Sequence, residues 1–167
     1  KKIIIVNKEA QEHLTAHPDV VALLPEVISK LTIGDSSSPV EKEINLSRIV
    51  GISLLIPVPK VSLDQKTYFV FRKARKYPSH VALNKRGEPC STVTLLINFD
   101  ESSEEWLLST AYIGYICANE PFYFEDRMSH EFVEALEVWT THALVYDKAI
   151  MGEPFESTWR NELGKVI

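Results

Sequence analysis

Cysteine is nearly missing from this chain: Cys90 and Cys117 are the two in 167 residues. Two thiols cannot build the bridge framework of a small secreted domain. No C-x-x-C and no Cys/His cluster accompanies them, which removes the usual structural zinc sites. The expected setting is a reducing cytoplasm. Long apolar runs are missing too. The longest are residues 3–6, residues 52–58 (broken by Ser53 and Pro57) and residues 143–146. All fall far short of the roughly 20 residues that span a bilayer. The opening Lys-Lys-Ile-Ile-Ile-Val is too short for a signal-peptide core and lacks a small-residue cleavage site, so no membrane partner is expected. Internal repeats and long low-complexity linkers are absent, and the small-polar run at 34–39 punctuates rather than separates domains. Histidines number five. His13 and His17 lie four apart, a spacing that suits one helix face, but no third ligand is near in sequence. They read as surface histidines, and no metal or cofactor is expected.

What is present suits one globular domain. A chain of this length buries roughly two-thirds of its unfolded surface, and its 45% apolar and 25% charged residues are ordinary for a soluble fold. Val20, Leu23, Leu24, Val27, Ile28 and Leu31 recur at helical spacing, and Pro25 should kink that run or split it. The period then changes. Residues 44–58 are rich in Ile, Val and Leu. Residues 66–72 are aromatic and β-branched, with Asp64-Gln65 before them as a hairpin turn. In 91–99, Val93, Leu95, Ile97 and Phe99 alternate with Thr92, Thr94 and Asn98. A polar turn at 100–105 leads to a second arm in which Trp106, Leu108, Thr110 and Tyr112 share a face. A helix is expected from Ser129 to Tyr146, capped by Ser129 with Glu131 in its first turn. Its apolar stripe is Phe132, Val133, Leu136, Trp139, Ala143 and Leu144. Pro154, Trp159 and Leu163 suggest a short helix in the tail. The expected fold is α+β: a helical part over 1–40, then an antiparallel sheet of four or more strands and a C-terminal helix over 44–146.

Charge is distributed unevenly. Residues 72–86 hold six Lys/Arg and no Asp or Glu, in a chain of net charge −5. The remaining 12 basic residues face 23 acidic ones, a balance of −11. A chain so arranged is unsuited to binding polyanions over its whole surface. It can hold a phosphate-bearing ligand at one place, because clustered charge focuses the local field. Arg72 and Arg75 offer planar forks for phosphate oxygens, and Lys73, Lys76, Lys85 and Arg86 add charge. His80 is the one imidazole of the segment and titrates near neutral pH. Thr110 and Tyr112 are candidates to orient a phosphate or stack on a base, and His142 is a second candidate acid or base. Each also fits a plainer role, in a solvated loop, a strand or a helix edge. RNA cleavage needs no metal where the substrate's own 2′-hydroxyl is the nucleophile. A base, an acid and cationic stabilisation of phosphorus then suffice.

In order, the residues resemble a known family. Arg-x-x-Arg follows an aromatic strand. Then come an alternating strand, Leu108-Ser109-Thr110-Ala111-Tyr112-Ile113-Gly114, Glu120-Pro121-Phe122 and Trp139-Thr140-Thr141-His142-Ala143-Leu144. This succession resembles the ribonuclease-toxin superfamily of barnase, EndoU, colicin and RelE-like domains over residues 44–145. The resemblance implies a metal-independent, toxin-type endoribonuclease that leaves a 2′,3′-cyclic phosphate, acting on tRNA or ribosome-bound message. It also implies a bacterial or phage origin and an antitoxin or immunity partner. Arg72, Arg75, Thr110 and His142 fall on motif residues, and His80 lies where such domains carry a polar catalytic group. Two features depart from the family: Phe122 stands where Trp is usual, and the chain is acidic. An RNA-binding module without cleavage, or a protein-interaction domain that docks an acidic partner, are the alternatives.

Overall fold

The N-terminal apolar pattern becomes three short helices behind a short strand: β1 (Ile4–Ile5), α1 (Lys8–Leu14), α2 (Pro18–Val21) and α3 (Leu24–Lys30). Asn7 caps α1 by accepting the Ala10 N–H at 2.8 Å. Pro18 and Pro25 each sit in a first helical turn, where a missing N–H is tolerated. The expected split at Pro25 is therefore what the chain adopts. Next come β2 (Val40–Asn45), β3 (Gly51–Ser53), β4 (Leu55–Pro57), β5 (Thr67–Phe71), β6 (Pro78–Ala82), β7 (Glu88–Cys90), β8 (Thr92–Asp100) and β9 (Glu105–Ile113). The last two elements are α4 (His130–Thr141) and β10 (His142–Val145). This computed structural model describes residues 3–15, 17–35, 37–57, 67–71, 78–82, 86–119 and 124–145, with backbone alone for 67–71, 78–82 and 140. The expected tail helix around Pro154, Trp159 and Leu163 lies outside them. The fold is α+β, and antiparallel pairs predominate in its sheets. Among the described residues no helix is long and apolar enough to cross a membrane.

Contacts divide the chain into two compact units, Lys1–Ser53 with Pro89–Ile116, and Leu54–Glu88 with Cys117–Ile167. The first holds a sheet in the order β1-β9-β8-β2, with β1 parallel to β9 and the other pairs antiparallel. Val93, Leu95 and Ile97 are wholly buried beneath Leu14, Val20, Leu24 and Val27. Each such side chain contributes about 1.5–3 kcal/mol relative to exposure. Phe99, at the strand's end, is instead partly exposed and packs on Trp106 at 5.3 Å between ring centroids. The turn after β8 is held by Asp100, whose carboxylate accepts from Ser102 and Ser103 and is kept below the usual carboxylate range, chiefly by the Ser102 hydroxyl.

The second arm corrects the expected alternation. Leu96 faces Thr110 but Ile97 faces Leu108, which leaves Ser109 as an extra residue in β9. A bulge of this kind reverses the phase of everything beyond it. Leu108, Ala111 and Ile113 therefore share the buried face, and Thr110 and Tyr112 lie on the other, opposite Leu96 and Thr94.

The second unit holds a sheet in the order β4-β10-β6-β5. Its core gathers Ile56, Ala143 and Val145, with Leu54 packed against them. The turn of the hairpin expected before residue 66 lies outside the described residues; among the described strands, β4 pairs with β10 and β5 with β6. Ser129 caps α4 by accepting the Phe132 N–H at 3.1 Å, with Glu131 in the first turn as expected. The buried face is Phe132, Ala135 and Trp139, and the Trp139 indole donates to the Ala118 carbonyl at 3.0 Å. Val133 and Leu136, expected in the apolar stripe, are 53% and 38% exposed. The helix also stops sooner than expected. His142 is extended (φ −123°, ψ 152°) and begins a strand. Ala143 and Leu144 find ladder partners in β4, and Leu144 and Val145 in β6. A strand buried between neighbours reads as a continuous apolar run, and here that run continues the helical stripe.

Candidate functional site

Two histidine-bearing strands, β6 and β10, are neighbours in the second sheet. β5 and β6 are antiparallel, with Phe71 opposite Pro78. β10 runs parallel to β6, with Leu144 opposite Val81 and Val145 opposite Ala82. His142 and Pro78, the first residues of their strands, thus stand at the same end of the sheet. Pro57, the last residue of β4, is the register partner of His142 there. His80 lies on β6, the strand next to β10, and not in a loop. Arg72, Lys73, Arg75 and Lys76 lie outside the described residues, but their chain anchors Phe71 and Pro78 do not.

His142 is half-buried, and its Nδ1 lies 2.9 Å from the Val138 carbonyl oxygen and 3.2 Å from the Thr141 hydroxyl. A carbonyl only accepts, so Nδ1 carries the proton in that contact. The neutral ring then keeps its lone pair on Nε2, the atom suited to take a proton from a substrate. The same contact satisfies a carbonyl at the end of α4, a structural task in its own right.

The other expected residues are placed differently. The strand before the basic segment and the 92–113 hairpin were expected to meet on one sheet face. They belong to different sheets, because β5 takes β6 as its partner and β8 takes β2 and β9. Thr110 and Tyr112 lie in the first unit. The Thr110 hydroxyl is 3.1 Å from His13 Nε2, and the Tyr112 hydroxyl donates to the Tyr115 carbonyl at 3.2 Å. Arg86 is exposed ahead of β7. Lys85 and the Glu120-Pro121-Phe122 motif lie outside the described residues.

A second cluster, in the first unit, was not foreseen. His13, in the last turn of α1, meets Thr110 across 97 residues of sequence. Its ring lies edge-on to that of His17, with centroids 5.8 Å apart. His17 is half-buried, and burial holds it below the ordinary imidazole range. The Asp19 charge opposes that shift, and His13 adds to it. The spacing of the two histidines was visible in the sequence, whereas nothing local linked them to Thr110.

No protein-family model matches the sequence. No curated protein matches it either. In fold the chain is similar to a conserved hypothetical protein from Toxoplasma gondii ME49, known from a crystal structure, with a TM-score of 0.52. That likeness spans 90% of this chain and 97% of the other at 11% identity, and it concerns the fold alone.

Proposed function

We propose that this chain is an endoribonuclease that works without a metal ion, with His142 as its general base. One observation carries the reading: His142 opens β10 beside β6, the strand that carries His80. In the proposed step, His142 Nε2 removes the 2′-hydroxyl proton and the 2′-oxygen attacks phosphorus. The 5′-oxygen leaves with a proton from protonated His80, and the products are a 2′,3′-cyclic phosphate and a 5′-hydroxyl. Arg72 and Arg75 offset the charge gathering on the phosphoryl oxygens. Lys73, Lys76, Lys85 and Arg86 hold the RNA backbone. Thr110 and Tyr112 enter this reading only through the family resemblance. A toxin-type role, an antitoxin or immunity partner and a cytoplasmic setting also rest on sequence reading alone.

A second reading, RNA binding without cleavage, is favoured by the Val138 contact, because capping α4 accounts for His142 without any chemistry. One experiment separates the two. The protein is incubated with tRNA and mRNA in excess EDTA, beside His142→Asn. Asparagine keeps an N–H near the place of Nδ1 and removes Nε2. Cleavage to cyclic-phosphate ends is expected, falling about 10²–10⁴-fold in the variant with its thermal midpoint kept. RNA that is bound but left intact supports the second reading. Full activity in His142→Asn removes His142 from the mechanism.

A further inference from the structure

We propose that His13 and His17 chelate one borderline divalent cation of the zinc class, with water completing its shell. The two rings lie edge-on, 5.8 Å apart. Zinc bonds imidazole nitrogen at about 2.0–2.1 Å, which puts two rings at a tetrahedral angle about 5 Å apart, centroid to centroid. Thr110 supplies what a ligating histidine ordinarily has, a partner for the ring nitrogen that does not bind metal. With His13 Nε2–H donating to the Thr110 hydroxyl 3.1 Å away, Nδ1 is the atom that ligates. The surroundings also suit a cation. His17 is half-buried, and the Asp19 charge acts on its ring. Among the described residues no three His, Cys, Asp or Glu side chains form a metal-holding group, so two imidazoles are what this site offers.

The test titrates Zn2+ alone into the full chain at neutral pH, followed by calorimetry. One saturable event per chain is expected, lost on acidification and lost in both His13→Gln and His17→Gln. Glutamine keeps an N–H for Thr110 in the first, and circular dichroism verifies folding in both. Thr110→Val should weaken binding about 10–100-fold, and Thr110→Ser should restore it, which a merely structural threonine would not predict. Absence of saturable binding, or binding that survives both histidine substitutions, overturns the proposal.

Discussion

His17 sits where two charges and burial compete for one proton. Burial is the largest influence and disfavours the imidazolium; Asp19 favours it, and His13 disfavours it. The folded-state value therefore lies below the unfolded one, and the unfolded chain binds the proton first as pH falls. The stability tied to the neutral ring is fully present above about pH 6.5 and declines below that, as the unfolded state takes up its proton. Urea midpoints of the wild type should drop between pH 7 and pH 5 by more than those of His17→Gln, a residue that does not titrate. Equal drops in both would mean that His17 binds its proton alike in the folded and unfolded chain. That competition is not legible in the sequence. His17 looked like half of a surface pair, and its burial is created by folding.

At the scale of elements, caps were legible and phase was not. Ser129 was identified as an N-cap from local chemistry, since a hydroxyl ahead of an apolar run can accept an orphan N–H, and it does so from Phe132. Ser129→Ala should cost about 1 kcal/mol of stability, read as a lower urea midpoint with an unchanged slope; no change would mean that another group satisfies the helix end. Pro25 likewise announced its effect, because a missing N–H acts locally. The bulge at Ser109 carried no such mark. An extra residue leaves composition and propensity untouched and changes which side chains face inward only once β8 fixes the register. The boundary at His142 was hidden for the opposite reason. Ala143, Leu144 and Val145 would serve a helix stripe as well as a central strand, and it is pairing with β4 and β6, distant in sequence, that decides. The basic segment was legible as charge, but its sheet was not, since sheet membership is settled by the partners that β5 and β8 take.

At the scale of the whole molecule, charge decides how nucleic acid would approach. With −11 outside residues 72–86 and six Lys/Arg within them, most of the surface repels a polyanion and one segment attracts it. Each phosphate neutralised on single-stranded RNA releases counterions and adds about −0.7 to the slope of log K against log salt. Six cations therefore bound that slope at about −4. Replacing Arg72, Lys73, Arg75 and Lys76 with glutamine should flatten it by about 3 and weaken binding similarly for all RNA sequences, because phosphate contacts carry no sequence information. The measurement is a fluorescence-polarisation titration of single-stranded RNA at several salt concentrations. A slope much steeper than −4, or one that the four substitutions leave unchanged, would place the contact on other residues. The segment would then be a docking surface for an acidic protein, and His142 would keep only its task at the end of α4.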